Sequence, residues 1–288
     1  MFGMVFLGAP SLLHIASDSL VPILAISVLR GVGFGILTVV GAAAVGLLVD
    51  AKRRGEAIGI YGLAIAVPNL ILLPITPWIS EEFGFTPVFI LGALPILGIY
   101  SAYQLGQIIH VTEATRPEHE QSVDGVSVGE KKEAYRKLAS PVLLLLGVTL
   151  AAGGLLTFAP QMVSSPTLTM TGLALMGLIA AAARWRAGML ADLHCTGRLV
   201  WPLVVITAVG MAIIASAVRD PSDTAAFSLL LGMSLVGLGY GALQNLTLVM
   251  SFNSVSPQHH KLASTLWIVG FDAGTVFFFN DTATTEIY

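Results

Sequence analysis

Long apolar segments recur along the whole chain and constrain its fold more than any other feature. The sequence holds nine of them, and most are long enough for a helix to cross a hydrocarbon layer of roughly 30 Å. Only helices and closed barrels satisfy their backbone hydrogen bonds inside that layer. Mean hydropathy is +0.84, and 11% of residues are charged, against about 25% in soluble domains. The sequence therefore predicts an all-α integral membrane protein.

The positive charges are distributed in a way that supports this number of spans. The predicted spans are residues 1–16, 21–49, 56–79, 85–107, 141–163, 167–186, 199–218, 224–251 and 262–279. Twelve of the 14 Lys and Arg residues lie on alternate connections, and the other connections carry only Arg219. Cytoplasmic connections are enriched in Lys and Arg. We therefore expect a multi-pass protein of the cell membrane whose cytoplasmic connections are residues 50–55, 108–139, 184–198 and 256–261.

A triplet of glycines occurs twice with the same spacing. The two copies, which are 206 residues apart, are Gly31, Gly33 and Gly35, and Gly237, Gly239 and Gly241. Several other matches share this offset, which indicates a duplicated unit of about two hundred residues. Glycines at such spacing let helices pack closely. The repeat predicts two pseudo-symmetric helical bundles related by an axis along the membrane normal, with chance recurrence of glycine as the alternative.

One long polar connection, residues 108–139, divides the predicted spans into two groups. Residues 1–107 would form the N-terminal bundle and residues 140–279 the C-terminal bundle. Within the connection, capping-box and i,i+4 charge spacings predict a short surface helix over residues 129–139, and a binding module is the alternative there. Residues 280–288 resemble a translated sequencing adapter, so we expect this tail to be artefactual and exclude it from fold reasoning.

The segment after the sixth predicted span carries the most specific pattern in the chain. Gly188-x-Leu190-Ala191-Asp192, with Arg184 before it and Gly197 and Arg198 after it, resembles the loop signature of the major facilitator superfamily. That family carries the loop after its second and eighth spans. The resemblance implies a secondary transporter with two helical bundles of the major facilitator type. It also implies that the chain covers about spans three to eleven of twelve, truncated at both ends.

The same resemblance suggests how this segment works. Gly188 would let two helix ends approach closely. Asp192 would lie near a helix N-terminus, where the helix dipole favours an anion, and would hold one conformation as a latch that opens in the other. An ordinary cytoplasmic turn is the alternative interpretation.

Two ionisable residues lie inside the predicted spans. A charge near the middle of a span costs about 2.5–3.5 kcal/mol on insertion scales, so such residues are functional candidates. Arg30 precedes the first glycine triplet and resembles the family's fourth-span arginine, which is implicated in proton coupling. It would bind an anion or modulate a carboxylate, unless it extends to the interface. Asp272 is expected to exchange protons with a water-filled cavity, and a structural hydrogen bond between helices is its alternative.

Amide side chains within the spans are the remaining polar candidates. Asn69, Gln244 and Asn245 are expected to line a polar cavity, with ordinary helix–helix hydrogen bonds of about 0.6 kcal/mol as an equally open alternative. The sequence holds no metal-ligand pattern and no nucleotide-binding loop, so we predict neither a cofactor nor an enzyme. A net charge of −3 offers nothing for binding nucleic acid.

These features predict a monomeric secondary active transporter, embedded in the lipid bilayer, that moves a small solute by alternating access. A proton-coupled efflux permease is the first interpretation. An importer of a sugar or an organic anion is the alternative within this class. A membrane-embedded enzyme and a non-transporting receptor are the alternatives from other classes.

Overall fold

The protein is almost entirely helical in its computed structural model, which describes residues 1–16, 19–114, 128–162, 165–193, 196–219 and 225–277. These ranges contain ten α-helices and no β-strand. The helices are α1 (Phe2–Leu13), α2 (Leu20–Leu48), α3 (Arg54–Phe83), α4 (Phe85–Leu91), α5 (Ile99–Ala114), α6 (Val128–Met162), α7 (Pro166–Leu193), α8 (Thr196–Ala217), α9 (Ala225–Ser254) and α10 (His260–Val276). The predicted all-α membrane fold is confirmed.

Six apolar helical stretches among the described residues are long enough to cross a membrane, and one of them combines α4, a 3₁₀ segment and most of α5. They are residues 20–48, 85–112, 129–159, 167–193, 196–217 and 225–254. Nine spans were predicted from the sequence, and the other three correspond to α1, α3 and α10. Of these, α1 and α10 are short, with 12 and 17 residues.

The helices form two compact units. One contains Met1–Leu48 and Ile71–Gly125, and the other contains Val49–Leu70 and Val126–Tyr288. The predicted N-terminal bundle included residues 49–70, whereas here the first half of α3 groups with the C-terminal helices. The physical reason is a row of glycines at the start of α3, which lets this segment approach α7 closely.

The short surface helix predicted over residues 129–139 is not a separate element. It forms the first turns of α6, which continues without interruption to Met162. The buried positions of α6 recur at helical spacing across the expected junction, and they are Ala134, Leu138, Leu145, Val148, Ala152, Leu155 and Ala159. One continuous apolar face therefore keeps the polar turns and the membrane-spanning turns in a single helix.

Two further predicted boundaries differ from the structure. The span predicted over residues 85–107 is divided into α4 and α5 by a 3₁₀ segment, Leu94–Gly98, which has a proline at its start. The predicted connection over residues 184–198 is helical as far as Leu193, where α7 ends. Small residues on this stretch pack against neighbouring helices, with Ala187 only 5% exposed, so burial extends the helix beyond the apolar run.

In the second unit, α9 is the central helix. It carries the second glycine triplet, and a methyl group at these positions would meet neighbouring backbone or side-chain atoms. Gly237 and Gly241 lie against the α7 carbonyls of Met176 and Ala180, and Gly239 lies against Thr207 of α8. Close approach of backbones at small residues increases van der Waals contact, which is the main attraction between helices in lipid.

In the first unit, the middle glycine of the other triplet makes the closest approach. Gly33 lies against α1, where an added Cβ would stand 2.8 Å from the carbonyl carbon of Phe6. At the 206-residue offset Phe6 corresponds to Ala212, whereas Gly239 lies against Thr207, so the two middle glycines do not meet matching residues. Gly31 and Gly35 have no described atom within 4 Å of an added Cβ. The pseudo-two-fold relation between the bundles stays a prediction.

Candidate functional site

The carboxylate of Asp192 caps the start of α3. Its Oδ1 accepts a hydrogen bond from the Gly55 amide at 2.8 Å, and its Oδ2 accepts one from the Glu56 amide at 2.8 Å. Amides in the first turn of a helix have no acceptor within that helix, and the helix dipole makes this end favourable for a negative charge. Asp192 therefore accepts hydrogen bonds from the first turn of α3, as an N-cap residue does. Unlike an N-cap residue, it belongs to another helix, α7.

A contact between two glycines brings these groups together. A Cβ added to Gly188 would collide with the carbonyl oxygen of Gly55, and a Cβ added to Gly55 would collide with the carbonyl oxygen of Gly188. Any larger residue at either position would push α3 away from α7. Since Asp192 lies one helical turn after Gly188, this close approach places its carboxylate at the α3 amides.

Asn245 extends the same contact from α9. Its Nδ2 donates to the Arg184 carbonyl oxygen at 3.1 Å and to the Gly55 carbonyl oxygen at 3.4 Å. The side chain is 1% exposed, and its amide group connects α3 and α7, as in the helix–helix alternative. A role of Asn245 in lining a polar cavity stays a prediction.

Charged side chains surround this contact at the start of α3. Arg54 donates through Nη1 to Oδ1 of Asn253 at 3.1 Å. Burial lowers the pKa of Arg54 below its usual range, and the nearby Asp192 carboxylate acts in the opposite direction. The exposed pair Arg53 and Glu56, with 3.1 Å between Nη2 and Oε2, is of a kind that contributes only about 0–1 kcal/mol.

Sequence reasoning missed the α3 side of this arrangement. The donors to Asp192 are the backbone amides of Gly55 and Glu56. The hydrogen bond between Arg54 and Asn253 lies beside them. The available signal was the spacing of Gly55 and Gly59, which is the small-x-x-x-small pattern of closely packed membrane helices. That pattern predicts a close partner but does not say which helix the partner is.

The other residues of the loop signature do not interact with the Asp192 carboxylate. Arg184 lies further inside α7 and donates through Nη1 to the Gly62 carbonyl oxygen at 3.1 Å. Gly197 and Arg198 lie at the start of α8 and are exposed. No described hydrogen bond connects Gly197 or Arg198 to Asp192.

Neither of the two ionisable residues predicted inside spans takes part in the hydrogen bonds of this contact. Arg30 donates through Nε to the Leu7 carbonyl oxygen at 3.2 Å, which ties α2 to α1. Asp272 lies on α10 with its side chain exposed, and it forms no hydrogen bond or ion pair with another described residue. The predicted proton role of Asp272 stays a prediction.

Gln244 and Asn69 are the other two amide side chains that the sequence placed along a cavity. Gln244 is 2% exposed on α9, and neither polar atom of its amide has a hydrogen-bond partner of standard geometry among the described residues. The side chain of Asn69 lies outside the described part of the structure. Within that part, no three His, Cys, Asp or Glu side chains lie together as metal ligands would.

Comparison with known proteins gives two matches. The profile of the Major Facilitator Superfamily matches residues 1–279. A protein named as a probable 4-methylmuconolactone transporter, from Cupriavidus pinatubonensis, is similar to this chain, with 27% identity over 144 residues. That alignment covers 47% of this chain and 32% of the relative. Since the family profile extends over nearly the whole sequence, this chain belongs to the Major Facilitator Superfamily.

Proposed function

We propose that this protein is a secondary active transporter that moves a small organic solute across the cell membrane by alternating access. The observation that carries the proposal is the cap that Asp192 places on α3. It joins two helices through two charge-assisted hydrogen bonds and a close glycine contact, and the side chains of Arg184 and Asn245 add hydrogen bonds to carbonyl oxygens of α3. Such a contact is strong enough to favour one conformation and can break when the helices separate.

Proton coupling is the finer part of the proposal. Asp272 is an acidic side chain in the apolar second half of α10, and a carboxylate inside the membrane is rare and commonly functional because burying its charge costs free energy. At the repeat offset Asp272 corresponds to Ala66 and Arg30 to Val236. Neither charge is duplicated, so the repeated scaffold does not require them. We assign proton exchange to Asp272 and give Arg30 a supporting role.

Export is the direction we propose, with import as the second candidate. The relative is named for 4-methylmuconolactone, which makes that compound the first solute to test in either direction. An enzyme or a receptor without transport activity would bind the solute without moving it. The proposed topology places residues 50–55, 108–139, 184–198 and 256–261 in the cytoplasm, because these carry most of the Lys and Arg residues.

The experiment compares the parent protein with Asp272→Asn in proteoliposomes carrying a pH gradient. Flux of 4-methylmuconolactone is measured in both directions, together with equilibrium binding. We expect the parent to accumulate the solute against its gradient, and Asp272→Asn to bind the solute but lose gradient-driven flux. Glu82→Gln is the matched control, because Glu82 is an exposed carboxylate at the end of α3.

The outcomes separate the parts of the proposal. If Asp272→Asn concentrates the solute as well as the parent does, the carboxylate is structural and proton coupling lies elsewhere. If the parent binds 4-methylmuconolactone but never moves it, the receptor interpretation replaces transport.

A further inference from the structure

Arg184 is a partly buried cation whose guanidinium group takes no part in the contact at Asp192. Its Nη1 donates to the Gly62 carbonyl oxygen at 3.1 Å, while its Nε is buried and has no hydrogen-bond partner among the described residues. Arg184 forms no ion pair with another described residue. A carbonyl oxygen solvates the guanidinium group in part but brings no negative charge to it.

Two polar side chains of α9 lie on the same side as this guanidinium. Asn245 of α9 donates to the Arg184 carbonyl oxygen at 3.1 Å, so the part of α9 that carries Tyr240 and Gln244 packs against α7 at Arg184. Gln244 is 2% exposed, and neither polar atom of its amide has a hydrogen-bond partner of standard geometry among the described residues. Unsatisfied polar atoms of Arg184 and Gln244 therefore lie within one unit of the protein, with the Tyr240 hydroxyl as a third polar group on the same helix as Gln244.

Gly62 explains how the guanidinium reaches this position. A Cβ added to Gly62 would collide with Cδ of Arg184, so the side chain crosses α3 where that helix has no side chain of its own. The crossing places Nε 3.3 Å from that added Cβ, and the Gly62 carbonyl oxygen orients the guanidinium group through Nη1.

The chemistry of these groups favours an anion as their missing partner. Buried charges in proteins are paired with an opposite charge or coordinated, because an unpaired one is strongly disfavoured. Water would satisfy the donors but would leave the positive charge without a counter-ion. A carboxylate matches the planar fork of arginine and can accept from a phenol and an amide as well.

The surroundings indicate what else the ligand carries. Tyr240 packs against two apolar clusters, one around Met233 and Val236 and the other around Leu145 and Leu243. A ligand whose carboxylate meets Arg184 would therefore place the rest of its structure against an apolar wall. An apolar organic acid fits these surroundings better than a sugar.

We propose that Arg184, Tyr240 and Gln244 form a carboxylate-binding site, and that the transported solute is a small organic anion with an apolar body. This inference rests on the proposed transport function and specifies its substrate class. Arg184 is the group that binds the carboxylate, while Tyr240 and Gln244 orient it. Gly62 positions the arginine.

The test measures binding of sodium benzoate and of its neutral analogue benzamide to the purified protein by calorimetry at constant chloride concentration. We expect benzoate to bind the parent and to bind Arg184→Gln about tenfold to a hundredfold more weakly, as removal of a charged pair predicts. Benzamide should bind both proteins weakly. Arg186→Gln is the matched control, since Arg186 is exposed two residues away on the same helix and its loss should leave benzoate binding unchanged.

A second pair of variants covers the case in which Arg184→Gln fails to fold. Arg184→Lys keeps the charge without the planar fork, and Gly62→Ala displaces the guanidinium without removing it, so both should weaken benzoate binding and leave benzamide binding unchanged. Gly147→Ala is the control for the second variant, because no described atom lies within 4 Å of a Cβ added to Gly147.

The results distinguish this site from transport itself. Benzoate binding that is equal in the parent and in all three variants, absence of binding included, overturns the carboxylate site. Equal affinity for benzamide and benzoate in the parent also overturns it. If benzoate binds through Arg184 but proteoliposomes move no solute, the site stands and the transport function fails. If neutral solutes move at full rate in Arg184→Gln, transport stands and the anion inference is wrong.

Discussion

Replacing Asp192 with asparagine removes a charged acceptor from the start of α3 while keeping nearly the same side-chain shape. The native carboxylate accepts from the Gly55 and Glu56 amides at 2.8 Å each. Asparagine keeps one acceptor oxygen but presents an NH₂ group to the other amide, which then loses its partner. Hydrogen bonds to charged groups contribute about 1.5–3 kcal/mol each. We expect the contact between α3 and α7 to weaken by about 2–3 kcal/mol.

This loss can be measured at the two amides themselves. They lie in the first turn of α3, where the helix offers them no acceptor of its own, so the Asp192 carboxylate is their protection from hydrogen exchange. A loss of about 2–3 kcal/mol corresponds to an opening equilibrium about 30 to 150 times larger. Hydrogen exchange of the peptide containing Gly55 and Glu56, followed by mass spectrometry in detergent, should accelerate by that factor. Solute flux at equal membrane abundance should fall as well.

Asp50→Asn is the matched control. Asp50 is an exposed carboxylate that precedes the same helix, and it makes no side-chain capping bond. Its substitution changes the charge by the same amount, so a general charge effect would appear in both variants. If Asp192→Asn leaves exchange at Gly55 and Glu56 at the parental rate, the carboxylate does not hold α3. Faster exchange with unchanged flux would show that the cap is structural and would refute the latch.

Four further substitutions test the helix packing in the second unit, each by the free energy of unfolding in detergent. Gly188→Ala should destabilise the protein by about 1–3 kcal/mol, because the added methyl group meets the Gly55 carbonyl and overpacks the site. Gly241→Ala should cost a similar amount, since its methyl group meets a carbonyl of α7. Gly147→Ala, whose methyl group meets nothing, should instead be neutral or stabilising by up to about 1 kcal/mol, and equal effects for all three glycines would contradict the packing argument. Asn245→Leu should cost about 1–3 kcal/mol, because it leaves buried carbonyl oxygens without a donor, and an unchanged stability would show that the bridge contributes nothing.

Helices and their approximate limits followed from the sequence because they depend on local transfer of apolar groups out of water. The runs at residues 199–218 and 224–251 correspond closely to α8 and α9. The limits were wrong where burial by other helices outweighed local polarity. Residues 187–193 contain an acid and few strongly apolar side chains, yet they continue α7 because Ala187 and Gly188 are buried against neighbours.

The sequence predicted the role of Asp192 in part. The loop signature predicted a carboxylate near a helix N-terminus, and the dipole argument gave the physical reason. The sequence did not predict which helix this would be, because Gly55 lies 137 residues away in the chain. No local pattern records which helix end lies opposite. Asn245 shows the same limitation, since its partners on α3 and α7 are 190 and 61 residues distant.

The sequence by itself determined that this chain is a multi-helix membrane protein of the major facilitator type, because apolar length, charge distribution and the Gly188–Asp192 signature are local properties. The tertiary structure decided which polar groups have partners. The sequence placed Arg30 inside a predicted span and Arg184 on a cytoplasmic connection, and neither position indicated which guanidinium group has a partner. Arg30 reaches the Leu7 carbonyl through its Nε, whereas the Nε of Arg184 is buried without a partner among the described residues. Partnership depends on distances between segments far apart in the chain, and those distances exist only once the helices have packed.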